Sequence, residues 1–291
     1  MVLLHPLGAR EPRLAVDLSG RSLRVLQGAP GGAMRSAETK VSTRALASGR
    51  VVDPGMLGHA LESLLSANGL TCTRAMFAAS DVIATFRVLT FPAGTLDTEI
   101  DAAVRAELPL GDARLGLRHV EISNAGEGRT VYAIVWDRSQ VEAISTAAKE
   151  AGLKAAVVDL KSLCMARAVP MRSYIICDLT AEPCEAVLVD DRIPRVRHTF
   201  TLDATADIAA ALAGELKPVL SFYRGAGNTR FSSEAPILVR ADQPQPREVT
   251  RRLQQATGHP VDVVPRLQRI DPQIDHSTYL TCIGLGMRRR I

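Results

Sequence analysis

Two short stretches of this 291-residue sequence bring together residue types that handle phosphate. Asp17, Ser19, Gly20, Arg21 and Ser22 close a turn between two apolar runs. A glycine that accepts a positive φ lets consecutive amides converge on an anion, hydroxyls donate to it, and an aspartate positions Mg²⁺ or water. Later in the chain the same order returns: an apolar run ends in Asp178-Leu179-Thr180, and a second apolar run follows the turn. Here Ala181-Glu182-Pro183 stands where a glycine-bearing turn is expected. Glu182 adds negative charge, and Pro183 removes an amide donor. Both turns also suit a plainer role, since an aspartate with a hydroxyl residue two positions on satisfies turn amides without any ligand.

Other constellations read as ordinary surface or core. Arg105, Glu107 and Arg118 suit solvated pairs. Asp275, His276 and Ser277 are adjacent and cannot face one another as a nucleophilic triad must. Arg288, Arg289 and Arg290 suit contact with anionic lipid or an acidic partner, but more readily a solvated tail. The five cysteines are spaced without a Cys-x-x-Cys pair and the six histidines are scattered, which favours buried free thiols over disulfides or zinc. A net charge of +4 with 4% aromatic residues gives no expectation of nucleic-acid binding. The start lacks a signal-peptide pattern, and no run approaches the roughly 18 apolar residues that span a bilayer. The expectation is a cytoplasmic protein that reaches a membrane only through a partner.

The elements that must position the turns follow from periodicity. A hairpin covers 13–27, and a polar loop follows it. Asp53 caps a helix with Pro54 at its first position and Leu57, Leu61, Leu64 and Leu65 on one face, and Asn68-Gly69 stops it. Strands are expected at 73–80, 82–91, 117–123 and 129–137, with Trp136 in the core. Thr95 caps a helix carrying Ile100, Val104 and Leu108, which Pro109 stops. A helix at 139–152 and a buried strand at 153–160 complete a piece with the size of a small α+β insertion. Then a hairpin at 173–190, a strand at 195–200 and a helix at 204–223 echo the opening, with Pro218 expected to bend or break that helix. Strands at 236–240 and 260–264 and helices at 246–257 and 277–288 close the chain. This recurrence predicts an α/β protein of duplicated lobes facing a cleft.

In this order the residues resemble the PilM family of actin-like type IV pilus assembly proteins. The matches are Val16-Asp17-Leu18-Ser19-Gly20 through Leu26, Val52-Asp53-Pro54, and Val88-Leu89-Thr90-Phe91-Pro92. Further on come Glu99-Ile100, Arg105-Ala106-Glu107, Pro109-Leu110, Ala151-Gly152-Leu153-Lys154, Val157-Val158-Asp159-Leu160, Ala166-Arg167 and Ile283-Gly284-Leu285-Gly286. The resemblance implies actin-like (ribonuclease H-like) duplicated lobes, the first at 12–80 and 158–172 and the second at 173–291. A small α+β subdomain is inserted at 81–157. It implies a partner too, the cytoplasmic N-terminal tail of a PilN-like inner-membrane protein, held in a groove between the subdomain and the first lobe. By position, Arg105, Glu107, Leu108, Pro109, Leu110 and Arg167 would line that groove.

ATP and Mg²⁺ would sit on Asp17, Ser19, Gly20, Arg21, Ser22, Asp178 and Thr180. The chain departs from the family there. Its second turn has Thr180 where the family has glycine, and the segment 238–244 lacks the Gly-Gly turn that lets a nucleoside approach. The expectation is a scaffold peripheral to the inner membrane, more readily without a cofactor than with ATP. An active ATPase or small-molecule kinase of the same superfold and an FtsA-like division protein are the alternatives. Self-association is left open.

Overall fold

The computed structural model describes residues 14–20, 22–108, 114–125, 128–180, 183–203, 207–225, 231–241 and 247–288. Arg21, Pro109, Leu110, Ala181, Glu182, Arg289 and Arg290 lie outside them. The strands are β1 (Leu14–Asp17), β2 (Ser22–Gln27), β3 (Arg35–Lys40), the two-residue β4 (Leu46–Ala47) and β5 (Arg50–Val51), then β6 (Arg74–Ala79). They continue with β7 (Ala84–Pro92), β8 (Leu115–Ala125), β9 (Gly128–Asp137), β10 (Lys154–Leu160), β11 (Tyr174–Asp178), β12 (Cys184–Asp190), β13 (Ile193–Phe200), β14 (Ile237–Arg240) and β15 (Val261–Val263). The helices are α1 (Pro54–Ala67), α2 (Asp97–Glu107), α3 (Arg138–Glu150), α4 (Lys161–Ala168), α5 (Ile208–Gly225), α6 (Arg247–Thr257) and α7 (Leu280–Gly286).

Two five-stranded sheets share one topology. The first runs β10-β6-β1-β2-β3 and the second β13-β12-β11-β14-β15. In each, a central strand pairs antiparallel with the next strand of its hairpin and parallel with a later strand on its other side. The recurrence seen in the sequence is therefore a duplicated lobe. The inserted sheet, β7-β9-β8, is antiparallel throughout. The stretch 81–157 divides: 84–137 build this separate sheet with α2, while α3 and β10 join the first lobe, β10 by pairing with β6.

Local chemistry explains the strongest elements. Asp53 Oδ1 accepts the Met56 amide at 2.9 Å with Pro54 in the first turn, so α1 begins where its cap says it should. The leucines of α1 then meet Val141, Ile144 and Ala147 of α3 in the first lobe's core. Elsewhere packing overrides local signals. Strand β3 reads as polar loop because only Ala37 is buried in it, and α4 has no distinct stop or start signal. Thr95 bonds back to the Pro92 carbonyl at 2.8 Å, so α2 starts one residue past Leu96. Helix α5 continues through Pro218 as one element, and the last helix is seven residues long. Arg288 is half of an ion pair with Asp159 at 2.8 Å instead of a solvated tail residue.

A second core joins the lobes. Helices α4 and α7 lie between the two sheets, with Cys164, Met165, Leu280 and Ile283 packed on Ala15, Met76 and Ala78 from one lobe and on Ile176, Val187 and Leu238 from the other. A Cβ on Gly284 would strike the Cys164 carbonyl, so only glycine lets these helices approach so closely. No disulfide joins the cysteines; Cys72 is half-buried and the other four are buried. No helix among the described residues is long and apolar enough to cross a membrane.

Candidate functional site

The two turns are built alike. Asp17 Oδ1 accepts the Ser19 amide at 2.9 Å and the Ser19 hydroxyl at 2.5 Å. Asp178 Oδ1 accepts the Thr180 amide at 2.9 Å and the Thr180 hydroxyl at 2.8 Å. Asp17 ends β1 opposite Arg24, and Asp178 ends β11 opposite Glu185. A Cβ on Gly20 would lie 3.5 Å from the Thr180 carbonyl oxygen, so the turns nearly touch. Gly20 does not take the positive φ that a phosphate-cradling turn was expected to use. Ser22 opens β2 half-buried.

Behind the second turn, cations fill the space. Lys161 Nζ lies 2.9 Å from Asp178 Oδ2 and 2.6 Å from Glu185 Oε2. Arg240 Nη1 donates to Asp178 Oδ2 at 2.8 Å, while its Nε and Nη2 donate to the Ser277 and Thr278 carbonyls at 2.8 and 2.7 Å. Lys161, Arg240, Asp178 and Glu185 are all at most 1% exposed. Burial alone would raise the Asp178 pKa, but the Arg240 and Lys161 charges outweigh it and hold the carboxyl well below its usual range. Likewise burial disfavours charged Lys161, yet Asp178 and Glu185 hold its pKa above the ordinary value. Asp81 extends the network by accepting the Ser162 amide and hydroxyl at 2.9 and 2.8 Å. Burial, aided by the Glu185 charge, pushes Asp81 up to about 7 against the Ser162 hydrogen bonds and the Lys161 and Arg197 charges.

The first turn is more lightly loaded. Arg24 reaches Glu38 at 3.0 Å, and Ala78 of β6 stands at the place that Arg240 takes in β14. Burial works against the Arg24 charge, but the Asp17 and Glu38 carboxylates outweigh it and raise its pKa. A hydrated Mg²⁺ needs carboxylate lone pairs and room for water. Asp178 fits neither need, because Thr180 takes one oxygen and two cations take the other. Among the described residues no group of three or more His, Cys, Asp or Glu suits a metal.

Sequence reasoning missed Lys161, Glu185 and Arg240. The available signal was a charge inside or at the end of an apolar run, Cys-Glu-Ala-Val and Ile-Leu-Val-Arg, which marks a buried pair.

A groove opens on another side. It holds about 740 Å³ between the inserted sheet, β10 and α4 of the first lobe, and Arg192, Ile193 and Pro194 at the start of β13 in the second. Val120, Ile122, Tyr132 and Ile134 form one wall, and Leu163 and Arg167 of α4 face them. Asp159 accepts from Arg167 at 2.9 Å and Arg288 at 2.8 Å, and Arg167 also donates to the Gly284 carbonyl at 2.7 Å. A small apolar recess lined by Trp136, Val141 and Val158 adjoins it. Of the expected groove residues, Arg167 lies here. Arg105 and Glu107 are exposed on α2, and Leu108 is buried with Ile100 and Val104 against Val131, Ala133 and Val135. Those three alternate with the groove-facing Tyr132 and Ile134, so α2 covers the opposite face of the sheet.

No protein-family model matches the sequence, and no curated protein matches it. Solved structures do match in fold. A PilM–PilN type IV pilus biogenesis complex gives a TM-score of 0.70 at 19% identity, covering 94% of this chain and 97% of that one. The cytoplasmic domain of EpsL, an inner-membrane component of the Vibrio cholerae type II secretion system, gives 0.52 at 12% identity, with 94% of each chain covered. A Bacteroides thetaiotaomicron protein with an actin-like ATPase fold gives 0.51 at 9% identity over 96% of this chain and 99% of that one. Shared strand order in two lobes, an inserted antiparallel sheet and these whole-length likenesses give one conclusion: the chain has the actin-like ATPase fold, in the form that PilM displays.

Proposed function

We propose that this protein is a PilM-like scaffold of a type IV pilus or related secretion machine, held at the cytoplasmic face of the inner membrane by a PilN-like partner. The whole-length likeness in fold to PilM, solved in a complex with PilN, carries this reading. The likeness to the EpsL cytoplasmic domain supports the wider class of machine. The partner's N-terminal tail binds in the groove between the inserted sheet and the first lobe, where Val120 and Ile122 offer apolar contact and Arg118, Arg167 and Arg288 offer charge. The interlobe turns serve as architecture, because Lys161 and Arg240 take up the carboxylate that a metal-bound nucleotide would need. The chain therefore works by docking and not by hydrolysis.

Calorimetric titration tests the docking. The ligand is a synthetic peptide covering the cytoplasmic N-terminal tail of a PilN-like protein from the same organism. Saturable binding that Ile122→Asp weakens by about tenfold or more is expected, since a buried apolar contact becomes an unpaired charge. No binding by that peptide sinks the reading.

A further inference from the structure

Two sheet edges face one cleft. Strand β7 is an outer strand of the inserted sheet and β13 an outer strand of the second lobe's sheet, and a cavity of about 830 Å³ lies between them. Its walls take consecutive residues from both, 84–88 and 195–197. Side chains along a strand alternate between faces, so a consecutive run lines one cavity only where the strand turns its backbone edge toward it. Two carbonyls mark that edge. The Ala84 oxygen accepts from Arg197 Nη2 at 3.5 Å, and the Phe86 oxygen accepts from Arg87 Nη1 at 3.1 Å. Even-numbered residues of β7 thus point their backbone groups away from β9 and into the cleft.

The cleft is basic. Arg87, Arg195 and Arg197 line it, with Asp190 as the acid among its lining residues. That carboxylate is already engaged by the Tyr223 hydroxyl at 3.0 Å and the Ser173 hydroxyl at 2.6 Å. From beneath, the buried Asp81 acts on Arg197, but Ser162 holds both its oxygens. Arg195 Nε and Arg197 Nη1 are buried without a hydrogen-bond partner. An unpaired buried donor costs free energy that an incoming acceptor recovers. Phe222, 68% exposed, supplies an apolar ledge beside these arginines.

We propose that this cleft receives an extended acidic segment of a protein partner, which pairs with β7 as an added strand while its carboxylates take over the arginines. In the free protein the guanidinium groups blunt the open edge, a common use of charge on outer strands. On binding, Arg87 and Arg197 swing from edge carbonyls to the carboxylates, and Arg195 gains an acceptor. From Ala84 to Thr90 the edge runs roughly 20 Å, enough for a strand of about six residues. Main-chain pairing supplies affinity and the arginines select for acid. No described residue lines both this cleft and the groove assigned above to a PilN-like tail, so the two sites are separate.

Fluorescence anisotropy tests it with a labelled heptapeptide of alternating glutamate and valine, added to the full chain at low salt. The same peptide N-methylated at its interior amides, and a lysine–valine counterpart, serve as controls. Saturable binding below about 1 mM is expected, weaker by about tenfold or more for the N-methylated peptide and for Arg195→Glu and Arg197→Glu, and absent for the lysine peptide. Ile122→Asp, in the other groove, leaves this binding unchanged. Equal affinity for the N-methylated peptide overturns strand addition, a comparison that needs no variant protein to fold. Binding indifferent to charge reversal in variants whose thermal melts match the parent, or no saturable binding, overturns the site.

Discussion

The two interlobe turns are built alike and differ in what surrounds them. Each has an aspartate that binds the amide and hydroxyl of the residue two positions on. In the first, the neighbouring parallel strand brings Ala78, and the opposite strand brings Arg24, whose charge is held by Asp17 and Glu38. In the second, the same two places hold Arg240 and Glu185, and Lys161 enters from α4. The difference teaches that a turn carboxylate can be taken up by its own protein's cations. Once Lys161 and Arg240 neutralise Asp178, the turn is a strut between lobes.

The comparison breaks most visibly at Lys161. Lys161→Met leaves Glu185 buried without its cation, and removing one partner of a buried pair costs about 3–5 kcal/mol. Urea denaturation reads this as a lower midpoint. Next in size is a matched pair of substitutions. Asp178→Asn weakens the shared acceptor of two buried cations, Lys161 and Arg240, and should cost about 3 kcal/mol, whereas Asp17→Asn, which weakens the Ser19 bonds and the attraction to the single cation Arg24, should cost less, about 1–2 kcal/mol. Equal losses in the two turns would remove the asymmetry argued here.

Acidity sharpens the same contrast. Asp81 has a folded pKa of about 7, above its unfolded value, so the folded state binds the extra proton between about pH 4 and 7. Its favourable contribution is complete below that window and declines as pH rises through it, by up to about 1.4 kcal/mol per pH unit. Asp178 has the opposite sign. Its folded pKa is depressed, so its contribution is present above the ordinary carboxylate pKa and is lost as pH falls below it. Denaturation midpoints across pH 4–8 should therefore fall toward pH 7, and Asp81→Asn should flatten the slope. The smallest effect belongs to Gly20→Ala. The added methyl meets Arg24 and Thr180 at 3.4–3.5 Å, ordinary contact, and the change in stability should stay within about 0.5 kcal/mol.

Much of the architecture was legible because its signals are local. The cap at Asp53, the apolar face of α1 and the two hairpins need only neighbours in sequence to be read. The ion network was not, because Lys161 meets partners that the fold brings from β11, β12 and, through Arg240, β14. Which face of the inserted sheet α2 would cover was equally hidden. Both faces carry apolar residues, Val131, Ala133 and Val135 on one and Tyr132 and Ile134 on the other, and only packing decides between them. Consequently Arg167 was placed in the groove by position, while Arg105, Glu107 and Leu108 fell on the far side.

The central claim is that the second turn's cations leave Asp178 no free oxygen for a metal-bound nucleotide. A thermal-shift titration with millimolar ATP and Mg²⁺ tests it most directly. A ligand at 100 times its Kd adds about 2.7 kcal/mol, roughly 5–10 °C for a chain of this class. The account predicts a change below about 1 °C, the same with and without Mg²⁺. A saturable, Mg²⁺-dependent rise of several degrees would contradict it.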